Sequence, residues 1–265
     1  MRTSILIFLL LATGCATLAQ AETAAERLQL FYGKDERVEI KDMSVAPWSA
    51  IGKLETQRGI LCSATLVAPD QVLTAGHCFF MLSSKKDQGK WFYAGYRNGK
   101  YQAKYRILSA TVDPHFSKGL RRHGRDVYIN PSVASYDIAL LKVQYVAGRR
   151  DIAPMPMFSG DRKALAAALS AAGHKVNQAG YASDHRETLS AHLGCTATQL
   201  EDNNTVSHRC NTLSGDSGSP LWLDLADGPR LIAVQSSAPD AVDRQDADNT
   251  AVTILQARPL LAPAP

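Results

Sequence analysis

Three short segments hold side chains that could do covalent chemistry. Ser217 stands in Gly215-Asp216-Ser217-Gly218-Ser219-Pro220. A serine hydroxyl is a weak nucleophile at neutral pH and needs a base beside it. The flanking glycines let the backbone turn, so that the N–H groups of Gly215 and Ser217 could cradle an oxyanion. The base is offered by Leu73-Thr74-Ala75-Gly76-His77-Cys78. His77 follows a strand-like run and abuts a cysteine whose disulfide would hold the ring in place, as general base catalysis requires. The third segment, Tyr136-Asp137-Ile138-Ala139-Leu140-Leu141-Lys142-Val143, sets a carboxylate at the mouth of an apolar strand. Burying Asp137 there is costly without a donor. A histidine N–H is such a donor, and the pair would keep the imidazole in the tautomer that takes a proton from serine. Singly, each segment has an ordinary reading: a solvated histidine, a polar turn, a strand-capping aspartate. Together they supply a nucleophile, a base and an orienting carboxylate.

The elements that must position them read mostly as strands. Short apolar stretches with turn residues between them recur at 49–54, 64–68, 71–74, 91–96, 107–112, 138–143, 175–179, 221–223, 231–234 and 251–255. Such spacing argues for a sandwich or barrels. Residues 162–172 are alanine-rich and favour a helix, with an alanine-rich loop as the competing reading. Residues 151–158, with two prolines, read as an extended connector between two β units. No internal repeat is present. The 265 residues, 45% of them apolar and 20% charged, exclude a disordered or collagen-like chain.

Arg2 and the apolar run 4–12 have the form of a signal peptide, too short to cross a bilayer, and Ala19-Gln20-Ala21 that of its cleavage site. Residues 1–21 are therefore expected to be removed, giving a secreted or periplasmic protein without a stable membrane anchor. The rival is a lipidated Cys15 in Ala12-Thr13-Gly14-Cys15. Removal leaves Cys62, Cys78, Cys195 and Cys210, an even number that suggests two disulfides. Three connectivities are open, the simplest joining neighbours, Cys62–Cys78 and Cys195–Cys210. A zinc site at Cys195, His208 and Cys210 lacks the paired short spacings of structural zinc.

Charge is uneven. Residues 85–125 hold eleven Lys and Arg against two Asp, with Trp91, Phe92, Tyr93, Tyr96, Tyr101 and Tyr105 interleaved. A face for an anionic partner is one reading; a pair of hairpins with core aromatics and solvated lysines is the favoured one. Asp240, Asp243, Asp246 and Asp248 lack the glycine turn and bidentate Glu of a calcium loop. No cofactor or metal is expected, nor a nucleic-acid partner.

In the order His, Asp, Ser, the three segments resemble the signatures of the trypsin/chymotrypsin-like serine proteases, over about residues 37–262. Asp35-Glu36-Arg37-Val38, Pro47-Trp48-Ser49-Ala50-Ile51-Gly52, Ser219 in place of a second glycine, Gly180-Tyr181 and Ala251-Val252-Thr253-Ile254 are most similar to the bacterial branch that includes the glutamyl endopeptidases. The resemblance implies an all-β fold, two six-stranded antiparallel β-barrels with the active site in the cleft between them. It places residues 38–148 in the first barrel and 149–265 in the second. It also implies a monomeric serine endopeptidase acting on protein or peptide through His77, Asp137 and Ser217, with Gly215 and Ser217 as the oxyanion hole. Ser236 would lie beside Asp137, and Asn211, Thr212, Gln235 and Ser236 would line the substrate pocket. Asn211 stands near the position of the trypsin specificity aspartate, so a Lys/Arg preference is not supported. Gln235 takes the place of the pocket histidine of the glutamyl enzymes, which leaves substrate preference open. Residues 22–37 are expected to be a propeptide, with Arg37-Val38 as a cut and Asp216 to receive a freed amine; in the glutamyl endopeptidase branch the N-terminus would instead sit several residues earlier, near Phe31. The competing function is a non-catalytic binding protein on the same scaffold.

Overall fold

The computed structural model describes residues 24–81, 86–123 and 126–261. The expected signal peptide and Cys15 lie outside the described residues. A helix α1 (Ala24–Leu30) and a two-residue strand β1 (Val38–Glu39) come first. The first barrel uses β2 (Ile51–Thr56), β3 (Leu61–Ala68), β4 (Gln71–Thr74), β5 (Gly89–Ala94) and β6 (Ala103–Val112), with α2 (Pro114–Lys118) and a hairpin of β7 (Leu120–His123) and β8 (Asp126–Ile129) inserted before its last strand, β9 (Ala139–Gly148). Its order β2-β3-β4-β9-β6-β5 closes on itself. After α3 (Arg162–Ala171) come β10 (Lys175–Gly180), β11 (Ser190–Leu200), β12 (Thr205–His208), β13 (Pro220–Leu225), β14 (Gly228–Ser237) and β15 (Asn249–Thr253), then α4 (Arg258–Leu261). They run β11-β10-β13-β14-β15-β12, with β12 pairing back to β11. The two six-stranded antiparallel barrels expected from the sequence are thus present. β1 precedes the first barrel in the chain yet pairs with β11 of the second.

The apolar stretches became strands because closed barrels bury one face of every strand and leave no edge unpaired. Residues 62–67 of β3 are buried on both faces, since the strand also lies against the second barrel. The strands that the sequence pattern misses are β1, β7, β8, β11 and β12. β11 mixes Ser, His, Gly, Thr and Gln with few large apolar residues. It is strand because β10, β12 and β1 all take up its backbone.

Residues 162–171 form a helix and not a loop. The Asp161 carboxylate accepts from the Ala164 N–H at 2.8 Å, an N-cap, and Leu165 and Leu169, one turn apart, are buried. The connector at 151–158 is extended and ties the halves together. Met155 N–H donates to Leu66 O, and Phe158 N–H to Leu231 O, both at 2.9 Å. Trp48 meets Trp222 edge-on, with centroids 5.7 Å apart.

The basic stretch makes β5, β6 and the β7–β8 hairpin. Phe92 and Tyr105 are core. Lys90 pairs with Glu55 and Arg97 with Glu39, so acidic residues from other segments neutralise part of the excess. Cys62 is joined to Cys78 and Cys195 to Cys210, the neighbour pairing. The second bond removes both sulfurs from any zinc site at Cys195, His208 and Cys210. Asp248 is engaged by Thr198 and Arg209.

Candidate active site

His77 lies in a short 3₁₀ turn, Gly76–Phe79, directly after β4. The Cys62–Cys78 disulfide ties that turn to β3. Asp137 closes the 3₁₀ turn before β9, and β9 pairs with β4, so adjacent strands deliver both residues to one end of the first barrel. Asp137 is wholly buried. Its carboxylate accepts three hydrogen bonds: from the His77 backbone N–H at 2.7 Å, from His77 Nδ1 at 2.7 Å and from Ser236 Oγ at 2.5 Å. An ionised carboxylate only accepts, so the ring proton sits on Nδ1 and Nε2 keeps its lone pair. Burial pulls the His77 pKa down, and the Asp137 charge and hydrogen bond pull it up and prevail, leaving it above the ordinary 6.5.

Ser217 comes from the other barrel, on the loop before β13. It lines the same groove as His77, with Gly215, Cys62, Tyr181 and Arg186. Its hydroxyl makes no hydrogen bond to the ring in this structure. The loop's shape depends on two glycines. Gly215 has φ +97° and Gly218 φ +83°, and a Cβ on Gly218 would stand 2.1 Å from Thr74 Oγ1 and 2.2 Å from Ser63 O. The Gly218 N–H donates to Gln235 O at 2.8 Å. Among the described residues, neither the Gly215 nor the Ser217 N–H has a backbone acceptor. Both remain available to a ligand oxygen.

Ser63, on β3, holds this loop from across the barrel boundary, and the sequence reading missed it. Its N–H donates to Ser217 O at 2.8 Å, its hydroxyl donates to Gly215 O at 3.0 Å, and the same hydroxyl accepts from Tyr181 N–H at 2.8 Å. Asp216, buried, accepts from Leu213 N–H at 3.0 Å and makes no ion pair among the described residues. Burial pushes its carboxyl up to about 7.

The four expected pocket residues are all buried. Ser236 reaches Asp137, as above. The one Thr212 hydroxyl proton is shared between Gln178 Oε1 at 3.0 Å and Cys210 O at 3.1 Å. Gln178 in turn donates to Ser219 Oγ at 2.8 Å. Gln235 Oε1 lies 2.7 Å from His208 Nε2. The Cys210 N–H donates to His208 Nδ1 at 3.2 Å, so Nε2 carries the proton and donates to Gln235. Burial pushes His208 down to about 4, a neutral ring. Asn211 is taken up by the N-terminal segment. It donates to Phe31 O at 2.9 Å and Lys34 O at 3.1 Å, and accepts from Glu36 N–H at 2.8 Å. Gln178 and His208 carry no motif of their own. His208 enters the sequence reading only as a candidate zinc ligand, and Gln178 not at all.

A sequence profile of the trypsin-like peptidase domain matches residues 62–234. The fold is similar to that of a Glu endopeptidase solved in complex with MPD, at 18% identity and TM-score 0.64, covering 86% of this chain and 97% of that one. It is similar also to the protease Anisep from Arthrobacter nicotinovorans, at 19% identity and TM-score 0.55, over 79% of this chain and 93% of the other. A thermostable serine protease, AL20, from an extremophilic microorganism matches at 20% identity and TM-score 0.53, over 80% and 94%. Among curated proteins no sequence matches.

Proposed function

The chain belongs to the trypsin-like peptidases, and from that premise we propose that it is a serine endopeptidase whose catalytic triad is Ser217, His77 and Asp137. The observation that carries the assignment is the buried Asp137 carboxylate, which grips His77 by both its backbone N–H and Nδ1 and so commits Nε2 to the groove that Ser217 lines. Ser217 Oγ attacks the peptide carbonyl carbon while His77 Nε2 takes the hydroxyl proton. The link between them tightens in the substrate complex, as catalytic hydrogen bonds do. The oxyanion accepts from the Gly215 and Ser217 N–H groups. His77 then gives the proton to the departing amine, leaving an acyl-enzyme, and water repeats the cycle. Asp137 stabilises the imidazolium without taking its proton.

The test is casein cleavage together with phosphonyl fluoride labelling of Ser217. Ser217→Ala should abolish labelling and lower the rate by roughly 10⁴-fold or more. A folded, processed wild type inert to both reagents overturns the assignment.

Export is part of the proposal. Two disulfides support an oxidising compartment, and among the described residues no helix is long and apolar enough to cross a membrane. Residues 22–37 are proposed to be a propeptide cut at Arg37-Val38. The buried Asp216, which forms no ion pair among the described residues, supports this, since a freed Val38 amine would supply a partner. An active form whose N-terminus reads Glu22 overturns the cut.

A further inference from the structure

We infer that the groove beside His77 continues into a tyrosine-lined pocket that binds an aromatic side chain of the substrate on the leaving-group side of the cut bond. The inference rests on the triad assignment above. The groove holding His77 and Ser217 has a volume of about 230 Å³. A second hollow of about 300 Å³ is walled by Tyr93, Tyr96 and Tyr101, with Glu55 at its side. Lys53 and Leu61 line both, so the two hollows adjoin.

The direction follows from the chemistry. The groove runs from Ser217 past His77, the residue that hands its proton to the leaving amine, and along Cys62 and Leu61. None of Thr212, Gln235 and Ser236, expected beside the acyl half of the substrate, lines it. A peptide lying in this groove therefore places the residues that follow the cut bond against Leu61, and the next ones against the tyrosines.

The occupant's chemistry follows from what the pocket lacks. Its charges are already matched: Lys53 Nζ is 2.6 Å from Glu187, and Glu55 accepts from Lys90 and from Tyr93. An ionic side chain would find no unpaired opposite charge there. The rings offer faces and edges instead. Tyr93 lies 5.9 Å from Tyr96 and 5.7 Å from Tyr101, centroid to centroid, in tilted arrangements that a further ring can extend. Leu61, 36% exposed, adds apolar surface at the junction. The pocket is also preorganised. Tyr181 of the second barrel donates to Tyr96 O at 2.7 Å, and Tyr96 donates to Glu187. Little ordering remains to be done when a ligand enters.

The test uses the processed enzyme and peptides sharing one acyl half, drawn from a sequence that wild type cleaves. The leaving half is extended from one to five residues, with Phe or Ala scanned along it. A short arylamide of the same acyl half is the control. At one position of the leaving half, Phe should raise kcat/KM over Ala by roughly five- to tenfold, the scale of one aromatic contact. The preference should vanish in Tyr101→Ala and return in Tyr101→Phe, while the arylamide rate of both variants stays within about twofold of wild type. Wild type that cleaves the arylamide but treats Phe and Ala alike at every position overturns the pocket alone. Wild type inert to the arylamide and to phosphonyl fluoride overturns the triad assignment, and the pocket with it.

Discussion

His77 is the residue whose environment makes the sharpest statement about activity. Only the neutral ring can take a proton from serine. Because Asp137 holds the His77 pKa above 6.5, the acid limb of kcat/KM should have its midpoint above that value. Asp137→Asn removes the charge that raises it. That variant should move the limb to lower pH and cut kcat by roughly 10⁴-fold, the size of the effect when the orienting carboxylate is lost. A pH–rate profile of both forms checks the pair of expectations. At this scale the sequence was most legible. His77, Asp137 and Ser217 sit in segments whose neighbours are themselves constrained, by a disulfide at Cys78, by glycines at 215 and 218 and by the apolar strand after Asp137. Asn211 was less legible. Its expected place in a pocket rested on its position in the chain, and nothing in the sequence signals that its amide would be spent on residues 31–36.

Among the elements, β3 matters beyond its place in the barrel. Ser63 projects from it to hold Gly215 and Tyr181, and its backbone holds Ser217. Ser63→Ala should strand a half-buried carbonyl at Gly215 and a buried N–H at Tyr181, at a cost of about 1–3 kcal/mol in stability. It should also lower kcat while leaving KM nearly unchanged if, as proposed, the displaced groups serve the oxyanion and not substrate binding. Thermal melting and steady-state kinetics on a short arylamide separate the two effects. An unchanged kcat would deny Ser63 any positioning role. A single serine inside Cys62-Ser63-Ala64-Thr65 has no signature, because its partners come from the other barrel and lie more than a hundred residues away. Distance along the chain hid β11 as well. Its apolar contribution is thin, and neighbouring strands, not its own residue pattern, make it a strand. The helix at 162–171 was half legible: the alanines favoured it, and the cap at Asp161 with the Leu165–Leu169 stripe decided it.

For the whole molecule, two buried groups make stability depend on pH in opposite senses. His208 is neutral in the folded chain down to about pH 4, whereas unfolded it takes a proton near 6.5. Its contribution is present above 6.5 and lost as pH falls towards 4. Asp216 keeps its proton up to about pH 7 when folded and releases it near 3.8 when unfolded. Its contribution is present below 3.8 and lost as pH rises through 7. Between those limits the slopes oppose each other in the unprocessed chain. His208→Gln should therefore leave a protein that weakens as pH rises, and Asp216→Asn one that weakens as pH falls. Each swing should be of order 3 kcal/mol. Melting curves between pH 4 and 7, on a Ser217→Ala background that prevents self-digestion, would reveal the slopes. Identical profiles for the two variants would refute the account.

The loop that carries Ser217 is shaped by Ser63 of the opposite barrel, and Asp137 receives a bond from Ser236 on the second. Neither half can therefore complete the machinery by itself. On the proposed assignment, a ribosome that has released only the first barrel has made the base and its carboxylate, but no nucleophile. On the proposed triad, hydrolytic power waits at least until the second barrel closes against the first, ahead of any cut at Arg37-Val38, so the topology itself is a first delay on premature self-destruction.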